Sequence, residues 1–120
     1  MLVEDDRDIA QMYRLKLELE GWQVAVAFDG ETGLAMLKQY HPDVLLLDVM
    51  LPGMDGLELL EAIRAVPDKR DLPVVVISNS AGTAGKLDRA RELGVLDWLT
   101  KSSTSPSALA DRLDDLLPKS

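Results

Sequence analysis

The chain has 120 residues, 21 acidic side chains against 13 basic ones, a formal net charge of −8 and no cysteine. That length fits a single domain, residues 1–120, able to bury a core of its own, and the missing thiols exclude a disulfide framework and a thiolate metal site. The acidity argues against a direct nucleic-acid surface, which needs clustered Lys and Arg, and no apolar run approaches the roughly 20 residues that cross a bilayer, so a soluble cytoplasmic domain with no membrane contact is expected.

Short apolar runs alternate with stretches of helical period, the pattern of a parallel sheet covered on both faces. Met1 to Glu4 predicts a first strand. A helix follows with Ile9, Met12, Tyr13 and Leu17 at helical spacing, Asp5 and Asp6 as capping candidates, and Gly21 as its end. Trp22 to Phe28 predicts a second strand, Asp29-Gly30 a turn, and Thr32 to Tyr40 a second helix with Leu34 and Leu37 inward, stopped by His41-Pro42. Val44 to Leu47 is continuously apolar, as a strand buried on both faces should be, and ends in Asp48. Beyond a loop with Pro52, Gly53 and Gly56 comes a helix carrying Leu57, Leu60, Ile63 and Arg64. Pro67 and Pro73 bracket the next connection. Val74 to Ile77 is a second continuous strand ending in Ser78, followed by a loop and a helix from about Ala84 to Leu93 that Gly94 terminates. Trp98 to Thr100 predicts a fifth strand ending at Lys101, and Pro106 opens a last helix with Leu109, Leu113, Leu116 and Leu117. Five strands and five helices in alternation make a doubly wound α/β domain.

In such sheets ligands bind outside the carboxyl ends of the strands. Those ends carry Glu4, Asp5 and Asp6, then Asp48, Ser78 and Lys101. Carboxylates gathered without a cation repel and raise one another's pKa, so a metal or a lysine has to compensate. Hard oxygen ligands suit Mg²⁺; Lys101 offers a point charge and Ser78 a hydroxyl donor. Singly, Asp5 and Asp6 read as helix caps, Lys101 as a solvated lysine and Ser78 as a strand-end hydroxyl. Their joint placement favours a site.

"LVEDD" at 2 to 6, "LLLDVMLPGMDG" at 45 to 56, "LPVVVIS" at 72 to 78 and "DWLTK" at 97 to 101, in this order over nearly the whole chain, resemble the receiver domains of two-component response regulators, the CheY-like superfamily. The resemblance implies a flavodoxin-like sheet of order 2-1-3-4-5 and phosphorelay signalling in which Asp48 is the phosphoacceptor. It implies Mg²⁺ held by Asp5 and Asp48, with Glu4 on a metal-bound water and Met50 offering its backbone carbonyl. It also implies Ser78 as the hydroxyl that reorients toward the phosphoryl group, Lys101 as the family's lysine and Trp98 as the switch aromatic. The implied partner is a sensor histidine kinase or phosphotransfer protein, with a homodimer or output partner on the face of the fourth helix, fifth strand and fifth helix. Such a domain catalyses only its own phosphorylation and dephosphorylation. Three features depart from the family pattern: Ser102 follows Lys101 where proline is usual, which predicts a trans or differently shaped loop; Asn79 follows Ser78 where a small residue is usual; and the first strand is short.

Other classes fit less well. An aspartyl-nucleophile phosphohydrolase would place a second Asp two residues after the nucleophile, where this chain has Met50. An FMN phosphate would meet the carboxylate cluster and no Ser/Thr-rich loop. Residues 82 to 86, GTAGK, lack the spacing and the following hydroxyl of a phosphate loop. His41 belongs to the amino end of the sheet, away from the acids. A pseudo-receiver, acting as a phosphorylation-independent interaction module, is the alternative reading.

Overall fold

The computed structural model describes residues 1–51, 53, 55–78 and 84–117. Its strands β1 (Leu2–Val3), β2 (Val26–Ala27), β3 (Leu45–Leu47), β4 (Val74–Ser78) and β5 (Asp97–Thr100) are all parallel and stand in the order β2-β1-β3-β4-β5. The helices are α1 (Arg7–Leu19), α2 (Gly30–Leu37), α3 (Gly56–Ala65), α4 (Ala84–Glu92) and α5 (Pro106–Leu116). This is the flavodoxin-like order that the family resemblance implies.

The continuous apolar runs of β3 and β4 feed both faces of the sheet. Leu45, Leu47, Val74 and Val76 join Leu37 of α2, Leu59, Leu60 and Ile63 of α3 and Ala90 of α4 in one core. The alternate residues Leu46, Val75 and Ile77 join Ala10, Tyr13 and Leu17 of α1 and Leu109, Ala110 and Leu113 of α5 in the other. Period two in the strands thus sorts neighbours to opposite layers.

Helix starts follow the chemistry of the first turn. The Asp6 carboxylate accepts from the backbone N–H of Asp8 and Ile9, Asp29 caps α2, Asp55 caps α3 and Ser105 caps α5, with Pro106 at its first position. Asp6 is therefore the cap of α1, which leaves Asp5 for other work. Gly21 and Gly94, at φ 96° and 80°, supply the left-handed backbone that ends α1 and α4.

Four local expectations are corrected. The second strand is confined to Val26–Ala27 because β2 lies at the sheet edge and pairs only with the two residues of β1. The second helix runs from Gly30 to Leu37, since Asp29 caps it where a turn was expected. Met12 is 46% exposed, and Ala10 takes the inward place on α1. Leu59, absent from the expected face of α3, is fully buried. The Lys101–Ser102 peptide is trans, and residues 101–103 form a short 3₁₀ turn. Asn79 and the loop glycine Gly82 lie outside the described residues.

Gly56 holds the β3–α3 connection tight. A Cβ there would lie 2.3 Å from Val49 Cα and 2.9 Å from the carbonyl oxygen of Asp48, both backbone atoms that cannot swing away. Alanine gains about 1 kcal/mol of helix propensity over glycine, but overpacking against fixed backbone costs up to about 3 kcal/mol. Gly56→Ala is expected to lower stability by about 2 kcal/mol net and to shift the backbone at Asp48, measured by urea melts and amide chemical shifts; a variant as stable as the parent would refute this packing.

Candidate functional site

The strand tips converge as the topology requires. β1 and β3 are neighbours, with Val3 level with Leu47, so Glu4 and Asp48 emerge side by side. β4 adjoins β3, and β5 adjoins β4 with Ser78 level with Thr100, which delivers Lys101 to the same end. Glu4, Asp48 and Ser78 are buried at 1%, 3% and 0% exposure, while Asp5 stands exposed at the rim.

Lys101 Nζ lies 2.8 Å from Asp48 Oδ2 and forms a second ion pair with Glu4 Oε1. The other Asp48 oxygen accepts from the backbone N–H of Met50 at 2.9 Å. One oxygen of each of Glu4, Asp5 and Asp48 lies within 4.8 Å of the others, and Glu4 Oε2 is buried without a hydrogen-bond partner. Burial, then the neighbouring Asp48, push the Glu4 carboxyl up to about 7, with Lys101 pulling the other way. For Lys101 burial opposes the charge, but its hydrogen bonds to Asp48 and Glu4 and their charges prevail, so its pKa is raised.

The sign of the Glu4 shift fixes a pH dependence. The folded state holds the proton more tightly than the unfolded chain, whose carboxyl has the ordinary value of 4.5, so stability from this group is greatest below that value. It is lost as pH rises through about 7. Without divalent ions, the wild type is expected to lose stability relative to Glu4→Gln between roughly pH 5 and 7.5. Melts of the two proteins in chelator across that range test this; a constant difference would contradict it.

The structure brings together Glu4, Asp5, Asp48 and Lys101, with Ser78 and the Met50 backbone beside them. Trp98 stands apart from the carboxylates. It is half-buried on β5, level with Val76, and packs against the core beneath α4. His41 sits at the amino end of the sheet, where its Nδ1 lies 2.7 Å from Lys69 Nζ. Sequence reasoning missed Lys69, a lysine only 2% exposed, because nothing in Pro67-Asp68-Lys69-Arg70 distinguishes a buried cation from loop charge. It also missed how far Arg64 reaches: its guanidinium donates to the carbonyls of Lys69, Leu72 and Leu93, tying α3 to the connections before β4 and after α4.

A five-stranded doubly wound domain with a lysine-bridged acidic cluster at its carboxyl edge is a receiver-type architecture. The chain matches the response regulator receiver domain family over residues 1–114, and it belongs to that family. It is 38% identical over 101 residues to the response regulator PleD of Caulobacter vibrioides, covering 84% of this chain but only 22% of PleD, so it spans about a fifth of that relative's length. Among solved structures it resembles chemotaxis protein CheY4 of Vibrio cholerae, with a TM-score of 0.88 and 28% identity over 97% of this chain and 95% of that one. It also resembles the Mn²⁺-bound form of response regulator Rcp1, with a TM-score of 0.84 and 27% identity over 99% and 94% of the two chains. The expected family and fold are borne out.

Proposed function

We propose that this receiver domain accepts a phosphoryl group on Asp48, in a divalent-ion-dependent reaction, from a phosphohistidine on a sensor kinase or phosphotransfer protein. The observation that carries the reading is the setting of Asp48: a buried carboxylate at the tip of the central strand, anchored by Lys101 and the Met50 N–H, beside two further acids.

The residues fit a hard divalent cation. Three carboxylates converge, and the unpartnered buried oxygen of Glu4 is a ligand position that no protein donor uses. Asp5 and Asp48 would hold Mg²⁺ directly, with Glu4 and the Met50 carbonyl supporting it, and the ion would neutralise charge on the transferring phosphoryl oxygens. That response regulator Rcp1, a protein of the same fold, is known in a Mn²⁺-bound form supports a divalent ion as the ligand. In the transfer, an Asp48 oxygen attacks phosphorus in line, the phosphorus–nitrogen bond of the donor breaks, and the imidazole leaves with its electron pair and takes up a proton. Lys101 stays beside the acceptor and offsets charge. Ser78 then donates its hydroxyl to a phosphoryl oxygen, and Trp98 turns toward the space that movement vacates. One charge-assisted hydrogen bond of about 1.5 to 3 kcal/mol shifts a two-state balance by roughly ten- to a hundredfold. The α4–β5–α5 face then meets a second copy or an output partner.

Intact mass after incubation with acetyl phosphate tests the reading. One added phosphoryl group with Mg²⁺, and none with chelator, is expected. No addition under either condition would favour a phosphorylation-independent interaction module.

A further inference from the structure

The acidic edge that suits a metal creates a difficulty for the incoming donor, which is an anion. Beside the buried site, the β1–α1 segment exposes Asp5, Asp6 and Asp8, and the whole chain carries −8. Lys101 cannot meet the donor first, because its side chain is only 9% exposed and is held between Glu4 and Asp48.

A second cation is fixed at the same edge. Arg7 opens α1, two residues after Asp5, and its guanidinium carbon lies 4.2 Å from the centre of the Phe28 ring. Phe28 follows Ala27, whose carbonyl accepts from the Glu4 N–H at 3.0 Å, so its backbone leaves β2 next to the first acid of the site. Arg7 is exposed and forms no ion pair with another described residue. Stacking on an aromatic face holds a guanidinium without consuming its five N–H donors, whose fork matches phosphate oxygens. The charge is therefore held in place and stays available to an anion.

We infer that Arg7, seated on Phe28, is the positioning residue that draws an anionic phosphodonor to the acidic mouth. The inference rests on the phosphoacceptor reading of Asp48. It is a contribution to donor approach and orientation and includes no chemical step of its own, so its signature is an ionic-strength-dependent association.

The test is the second-order rate of Asp48 labelling by acetyl phosphate at saturating Mg²⁺, at low and high salt, for the wild type, Arg7→Gln, Arg7→Lys and Phe28→Leu. Arg7→Gln should slow labelling about three- to tenfold at low salt, with the difference shrinking at high salt. Arg7→Lys should restore most of the rate, and Phe28→Leu should fall between. Circular dichroism and Mg²⁺ affinity of each variant separate this from misfolding or a damaged metal site. An Arg7→Gln protein that labels at the wild-type rate, or one whose defect is the same at all salt concentrations and is not relieved by lysine, overturns the inference and leaves the phosphoacceptor reading standing. A wild type that takes no label overturns both.

Discussion

Asp48→Ala is expected to take up no phosphoryl group from acetyl phosphate under conditions that label the wild type fully, while keeping its fold. The first half follows from position. Glu4 is tied to Lys101 through Oε1, Asp5 stands at the exposed rim, and Asp6 is engaged as the cap of α1, so Asp48 alone combines burial, an anchored carboxylate and a neighbouring lysine. The second half follows from charge: the substitution removes one of two carboxylates that share Lys101, and the Glu4–Lys101 pair keeps the remaining buried acid compensated. Intact mass and urea melts together check it. A variant that still gains one phosphoryl group, or that unfolds, would be inconsistent with this site.

Lys101→Met has the opposite profile. It keeps the nucleophile and removes the only described cation between two buried carboxylates. Breaking a buried ion pair from one side typically costs about 3 to 5 kcal/mol, because the surviving charge is left in a poor dielectric. That loss is expected in metal-free protein near neutral pH. It should shrink as pH falls, since protonating Glu4 removes part of the uncompensated charge. Divalent ions should restore part of it, as a cation takes over the neutralising role; binding at a hundred times the dissociation constant returns about 2.7 kcal/mol. Melts with chelator and with Mg²⁺, at two pH values, test all three statements. A metal-free loss below about 1 kcal/mol would mean that the pair is solvated and behaves as a surface salt bridge.

Much of this arrangement was legible in the residues, for identifiable reasons. Continuous apolar runs at Val44 to Leu47 and Val74 to Ile77 announced central strands, and the polar residue ending each run fell at the carboxyl edge where the topology gathers chemistry. Elements stabilised by few neighbours were less legible. β2 is an edge strand paired over two residues, so most of the Trp22 to Phe28 stretch has no ladder to join. Asp29-Gly30 carries the signals of both a turn and a helix start, and only the hydrogen bond from the Thr32 N–H to the Asp29 carboxylate decides between them. Which polar residues end the strands at the carboxyl edge was readable, but how they pair there was not. The family resemblance implies a metal-bound water at Glu4, and the structure adds that Lys101 holds Glu4 and Asp48 at once, a bridge that depends on how β1, β3 and β5 stand together. The burial of Lys69 is of the same kind, since it depends on a fold contact with His41 across 28 residues.

The central claim is that the side chain of residue 48 carries the phosphoryl group, and the most direct measurement is its chemical mapping. Protein labelled with acetyl phosphate and Mg²⁺ is reduced with borohydride, which converts an aspartyl phosphate to homoserine, then digested and sequenced by mass spectrometry. Homoserine at position 48, absent from unlabelled and chelator-treated samples, is the expected result. Reduction at Asp5, Glu4 or Asp55, or a stable phosphate on a hydroxyl residue with position 48 untouched, would contradict the account.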